Sequence, residues 1–311
     1  MVRIVRYDQS KKEDWNSFLI QSKNGNFLFN RNYMDYHSDR FIDHSLILYD
    51  DDRIIALIPT NEDGDSIVSH GGLTFGGMIT CVRMKARKMV EVFDIMVQYF
   101  KDCGKKEIIY KSVPFIYHKY FSGEDLYALT KYGGKLYRRD ISTVVDLQNK
   151  IKFNNLRKRG IKKAKRNNLS IRIDDNYKSL LHNLNKKLRE KYNTQAVHSL
   201  NEVFTLAEKF PNNIRQYSVY DNESFVAGTL LYLSDTVAHA QYIISSPDGQ
   251  KVGALDFLFD FLINEEQLNT KYFDFGISTE NDGKILNEGL IQQKESFGGR
   301  AVTYDTYRIN I

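Results

Sequence analysis

Cysteine is scarce in this 311-residue sequence, with Cys81 and Cys103 the only two. They stand far apart and at no metal-like spacing, which excludes a disulfide framework, so they read as ordinary intracellular thiols and no metal is expected. The start of the chain, MVRIVRYDQSKKEDW, lacks the apolar core of a signal segment, and no run approaches the length of a membrane span. A soluble cytoplasmic protein is predicted, without stable membrane insertion, and transient contact with a membrane surface stays open. Charge of one sign is not in large excess either: 44 basic against 39 acidic residues leave +5, which matters only where it is clustered. No Ser–His–Asp or Cys–His set stands out as a covalent nucleophile. What is present is a globular composition, 42% hydrophobic and 27% charged, with 20 Tyr and 19 Phe. Those aromatics suit sheet cores and carbohydrate-facing grooves alike, and the length allows two domains.

The most organised stretch runs from 220 to 276. Two β-branched apolar runs, 225–233 and 236–245, flank Ser234-Asp235 and predict a hairpin. A loop with Pro247, Asp248, Gly249 and Gly253 follows, then apolar residues at helical spacing over 254–263, then a short strand, 272–275. A loop that opens a helix offers backbone N–H groups and a positive dipole end, which suits phosphate. Gly249, Gln250, Lys251, Val252, Gly253 and Ala254 are therefore the candidate residues for binding the phosphates of a cofactor. On the second strand His239 and Gln241 share a face; His239 is either a general base near neutral pH or a satisfied strand histidine.

The earlier half is read as strand 2–7, helix 11–21, hairpin 45–60, strand 67–70, helix 85–101, strand 107–111, helix 125–131 and strand 135–145. Residues 48–56 align with 219–227 without a gap, and similar elements follow each. This predicts two copies of one unit in tandem, domains 1–148 and 149–311. Each is expected to be a mixed, mostly antiparallel sheet flanked by helices, an α/β (α+β) fold. Residues 27–41 are dense in aromatic and polar groups, and a helical reading brings Arg31, Asp35 and either Tyr36 or His37 together. The alternative is that these aromatics simply pack and Arg31 pairs with Asp35 at the surface. Four glycines lie within 71–77, including Gly71 and Gly72, where the backbone takes unusual conformations or lets a ligand approach. Between 150 and 166 there are nine Lys or Arg and no acid. Helical spacing turns Arg157, Ile161 and Ala164 inward and leaves Lys158, Lys162, Lys165 and Arg166 outside, as a solvated face or a site for a phosphate-rich ligand.

The order of elements over 220–276 resembles the cofactor core of the GNAT acyltransferases. The segment ILNEGLIQQKESFGGR (285–300) resembles the end of the Fem-type peptidoglycan aminoacyltransferases, and NNLRKRGIKKAKRNNL (154–169) resembles the start of the second half in the same superfamily. The resemblance implies an N-acyltransferase moving an acyl or aminoacyl group to an amine of a small-molecule or nucleotide-linked amino sugar or cell-envelope precursor. Acyl-CoA is the favoured co-substrate, because no heptad segment matches the helical arm of some Fem-type enzymes. The alternatives are an aminoacyl-tRNA-dependent peptidoglycan-precursor ligase, with tRNA as partner, and a non-catalytic module binding RNA or another polyanion. The resemblance puts the carrier in the second domain and the acceptor in the first, where Arg31, Tyr33, Tyr36, His70, Gly71 and Gly72 become acceptor-side candidates and Asp35 a base. Glu288 and Lys294 lie in the matched segment as catalytic candidates; at their spacing only one faces the site, and Lys294 also suits the helix C-terminus.

Overall fold

A computed structural model describes residues 2–311, apart from the side chains of His37 and Tyr192. In chain order the elements are β1 (Val2–Arg6), α1 (Lys12–Gln21), α2 (Arg31–Met34), β2 (Ile42–Asp43), β3 (Leu46–Asp50), β4 (Arg53–Ile58), β5 (Asn61–Asp63), β6 (Ser66–Val68), β7 (Ile79–Thr80), α3 (Ala86–Asp102), β8 (Glu107–Lys111), α4 (Glu124–Lys131) and β9 (Lys135–Asp146). Then come α5 (Asn155–Arg166), β10 (Ser170–Asp174), α6 (Tyr177–Tyr192), α7 (Leu200–Lys209), β11 (Ile214–Asp221), β12 (Ser224–Leu233), β13 (Val237–Ser245), α8 (Pro247–Val252), α9 (Ala254–Asp260), β14 (Tyr272–Ile277), β15 (Thr279–Glu280), β16 (Ile285–Leu286), α10 (Glu288–Glu295) and β17 (Arg300–Asn310). They form two compact units: 1–141 with 279–285 and 303–311, and 142–278 with 286–302. The chain therefore returns to the first unit, and residues 303–311, read from sequence as part of the second domain, pack there because β17 pairs with β8.

In the first unit, β1, β3, β4 and β7 form one sheet, while β8 lies between β17, antiparallel, and β6, parallel. The amphipathic helix α3 covers its core with Met89, Val92, Phe93, Met96, Val97 and Phe100, a three- and four-residue spacing that puts all six on one face. The predicted strand 67–70 stops at Val68, because His70 takes a left-handed φ of 58° that a strand cannot hold.

In the second unit the sheet order is β10, β11, β12, β13, β14, β9. Here α9 brings Phe259 against Phe273, Phe275 and Phe297 at ring-centroid distances of 5.9, 4.9 and 5.2 Å. That cluster ties α9, β14 and the end of α10 together, and so fixes the elements around the site. The apolar run 254–263 is not one regular helix: after Asp260 the chain widens into a π turn over Phe261–Glu265.

The gap-free match of 48–56 to 219–227 has a structural counterpart. Both hairpins carry a bulge at the same place, between Leu48 and Tyr49 in one and between Val219 and Tyr220 in the other. Both turn through a left-handed residue, Asp51 (φ 54°) and Asn222 (φ 54°), a conformation that Asp and Asn tolerate better than most.

Candidate active site

The second unit's sheet splits. Strands β13 and β14 pair in parallel through Val237 with Tyr272, Ala238 with Phe273 and His239 with Asp274. Beyond that pair β13 follows β12 as far as Ser245, with a bulge that leaves Gln241 extra between Ala240 and Tyr242. Strand β14 instead turns at Gly276 (φ 78°) and keeps to β9. His239 and Asp274 therefore sit where the two strands part.

Asp274 is fully buried and saturated with donors. The Ser142 hydroxyl and the Gly276 N–H (2.9 Å) both donate to Oδ1, and His239 Nδ1 lies 2.8 Å from Oδ2. A carboxylate oxygen only accepts, so this contact fixes the tautomer with Nδ1–H toward Asp274 and leaves Nε2 as the acceptor. A Cβ on Gly276 would stand 3.3 Å from His239 Cε1, so glycine there keeps the ring edge clear as well as supplying the turn.

Lys294 completes the group. It is buried on α10, and its Nζ donates to the Gly276 and Ile277 carbonyls at 2.8 Å each. Burial pulls its pKa down to about 8, against the opposing pull of the Asp274 charge. Of the two matched-segment candidates, Lys294 reaches this site, whereas Glu288 is exposed in the first turn of α10, where an acid suits the dipole.

The predicted phosphate loop differs from expectation. Residues 247–252 form a helical turn, and three N–H groups of the segment are in use: Gly249 donates to Ser246 Oγ, Gln250 to the Ser246 carbonyl and Gly253 to the Gln250 carbonyl. Gly249 is there because a Cβ would collide with the Val226 carbonyl. At Gly253 (φ 78°) a Cβ would stand 2.5 Å from the Gly160 carbonyl, and one on Gly160 would collide with Asp256. The glycines let α5 press against the start of α9, and Arg157 of α5 pairs with Asp256 across that contact. Lys251 pairs with Asp248 at the surface, Val252 packs on the core and Ala254 is buried. A cavity of about 290 Å³ opens beside them, lined among others by Lys187, Gln250, Gly253, Asp256 and Gln293, the neighbour of Lys294. Lys158 and Lys162 point outward on α5 while Ile161 and Ala164 are buried, as the spacing predicted.

The first-half candidates do not form one open surface. Arg31 is 2% exposed, its guanidinium 3.4 Å from the Tyr7 ring centroid and 4.1 Å from that of Trp15, with Asp43 at 3.3 Å and Asp35 at 3.7 Å. It is a pillar of the core rather than an accessible ligand. Asp35 also meets Lys12 at 3.5 Å. Tyr33 is buried against Phe27 and the half-buried Tyr36. His70 is buried, with Phe41 5.4 Å from its ring, and Gly71 and Gly72 are exposed. Sequence reasoning missed Lys111, which clamps this loop by donating to the carbonyls of His70 (3.0 Å) and Leu73 (2.7 Å); burial pulls its pKa down to about 8. It also missed Asp274 and Ser142. A lone acid inside the aromatic run YFDFG was the available signal for Asp274, since burying a charge demands partners.

No known protein family and no curated relative matches the sequence. Solved structures do. FemX superposes with a TM-score of 0.71 at 9% identity, over 99% of this chain and 97% of that one. L-PGS from Bacillus licheniformis gives 0.63 at 13% identity, over 98% and 92%, and the C-terminal domain of a putative lysylphosphatidylglycerol synthetase from Agrobacterium fabrum gives 0.62 at 12% identity, over 97% and 92%. A tandem GNAT protein from the clavulanic acid biosynthesis pathway gives 0.52 at 9% identity, over 100% and 98%. The chain thus shares its α/β fold with FemX and with the tandem GNAT protein.

Proposed function

We propose that the chain is an N-acyl- or N-aminoacyltransferase whose reaction centre is the split between β13 and β14. The observation that carries this reading is His239, oriented by Asp274 beside the buried Lys294. In the proposed reaction the acceptor amine attacks the carrier's acyl carbonyl, and His239 Nε2 takes the amine proton. A C–N bond forms, the carrier C–S or C–O bond breaks, and the leaving thiolate or alkoxide takes a proton. Lys294, with one N–H beyond the two given to carbonyls, and the N–H groups of the splayed β13 stabilise the oxyanion. The acceptor proposed is an amine on an amino sugar or cell-envelope precursor, in keeping with the likeness to FemX.

Acyl-CoA remains the first carrier proposed, entering the cavity beside Gln250 and Gly253, with Lys187 toward its phosphates. Two observations favour aminoacyl-tRNA as the second reading: the N–H groups of Gly249, Gln250 and Gly253 are already used, and α5 presents Lys158, Arg159, Lys162 and Lys163 outward. Thiol release from a panel of acyl-CoAs, run beside consumption of charged tRNA, separates the carriers. With the productive carrier, turnover should decline above pH about 8 as Lys294 loses its proton, and Lys294→Met should abolish that limb and lower kcat by roughly a hundredfold. Turnover by Lys294→Met equal to that of the parent would remove the lysine from the chemistry. A folded protein that consumes neither carrier would favour the non-catalytic polyanion-binding alternative.

A further inference from the structure

The first unit exposes apolar side chains that its core does not use. Phe121 is 103% exposed and Ile20 73%, and Phe115, Tyr120 and Val82 are each more than half exposed. They come from three segments that polar contacts hold together. Lys119 Nζ donates to the Ile20 carbonyl (3.1 Å), and the N–H groups of Lys119 and Tyr120 donate to the Lys23 carbonyl (2.8 and 3.3 Å). Lys23 Nζ in turn reaches the Met84 carbonyl (3.5 Å), two residues from Val82, and pairs with Glu124 at 2.6 Å. Cations follow Val82 along the chain: Arg83, Lys85 and Arg87 are all exposed. A cleft of about 1100 Å³ runs alongside, lined by Val82, Arg83, Lys85 and Lys88 and by the acidic β3–β4 turn, whose Asp50 is held by Lys88 at 3.2 Å.

We propose that this face docks on an anionic lipid bilayer. Ile20, Val82, Phe115, Tyr120 and Phe121 would enter the headgroup boundary, and Arg83, Lys85 and Arg87 would meet lipid phosphates. Large apolar side chains exposed together mark an interaction surface. Aromatics beside Lys and Arg match the layered chemistry of a membrane interface, apolar at one depth and negatively charged at the next. Glu124 already has Lys23 and Asp50 has Lys88, so against Asp51 and Asp52 of the turn stand Arg53, Arg83, Lys85 and Arg87, a local basic excess complementary to an anionic surface. No helix among the described residues is long and apolar enough to cross a membrane, so the contact is superficial and reversible. The proposal does not depend on the transferase reading.

The test is sedimentation of the full chain with vesicles of phosphatidylcholine alone and with one part in three or so of phosphatidylglycerol. Binding is expected to the anionic vesicles and to weaken with salt. The double variant Phe121→Ser, Tyr120→Ser should lower partitioning at least tenfold or so, since each ring no longer leaves water. Arg83→Glu with Lys85→Glu should remove the preference for anionic over neutral vesicles. Melting temperatures of both variants should stay near that of the parent, because the side chains are exposed. Absence of binding to either vesicle, or unchanged binding by the variants, overturns the proposal. So does self-association in solution that the aromatic variant abolishes while vesicles are ignored, which would make the face a contact between copies of this chain.

Discussion

Replacing Asp274 by asparagine keeps the shape of the residue but turns one acceptor oxygen into an NH₂ donor. If that donor faces His239, the ring must accept at Nδ1 and carry its proton on Nε2, and the proposed base is lost. The expected outcome is a fall in kcat of about 10²–10⁴ with melting temperature and carrier affinity near the parent's, measured by steady-state kinetics and calorimetry. Unchanged kcat would make the His239–Asp274 pair structural. At this scale the sequence was only partly legible. His239 and Lys294 could be singled out by type and place, but their partner Asp274 could not, because pairing across 35 residues is a property of the sheet register. Arg31 shows the reverse: its spacing to Asp35 was readable and the pair exists, but its burial between Tyr7 and Trp15 depends on α1 and the strand before it.

Helix α5 and the start of α9 touch through glycine on both sides, so each glycine serves packing whatever the cavity beside it binds. Gly253→Ala would force a left-handed Cβ against the Gly160 carbonyl and should cost roughly 2–4 kcal/mol, read by chemical denaturation. Gly253→Asp would for the same reason lose binding by unfolding, and Lys187→Ala, at an exposed position, is the cleaner probe of the cavity. If Gly253→Ala melts with the parent, the helices have room to move apart and the glycines have another purpose. Elements themselves were largely readable from periodicity: the strand 107–111 falls where expected, and the helix 85–101 within a residue at each end. The segment 247–253 misled because Pro, Asp and Gly signal a loop and equally a capped helical turn. Ser246, whose side chain caps that turn, decides between them.

Across the whole chain the repeated hairpin is the feature most plainly written in the sequence. The shared bulge and the left-handed Asp51 and Asn222 mean that the two turns solve one geometric problem alike. Asn222→Gly should be close to neutral, whereas Asn222→Val should destabilise by about 1–3 kcal/mol, because a β-branched residue resists positive φ; thermal melts of both variants check this. Asp51 should respond the same way, and a tolerant Asn222→Val would mean that the hairpin turns differently in solution. The return of β17 to β8 was not legible, since nothing within residues 303–311 names the strand they pair with. That return has a consequence for the order of assembly. As the chain leaves the ribosome, β8 waits for β17 while some 190 further residues are made, roughly 10–40 seconds at about 5–20 residues per second. Throughout that time the edge of β8 that Ile309 and its neighbours will cover is open to any other strand. The half of the protein begun first is thus finished last, and a chaperone acting during translation would have its work at β8.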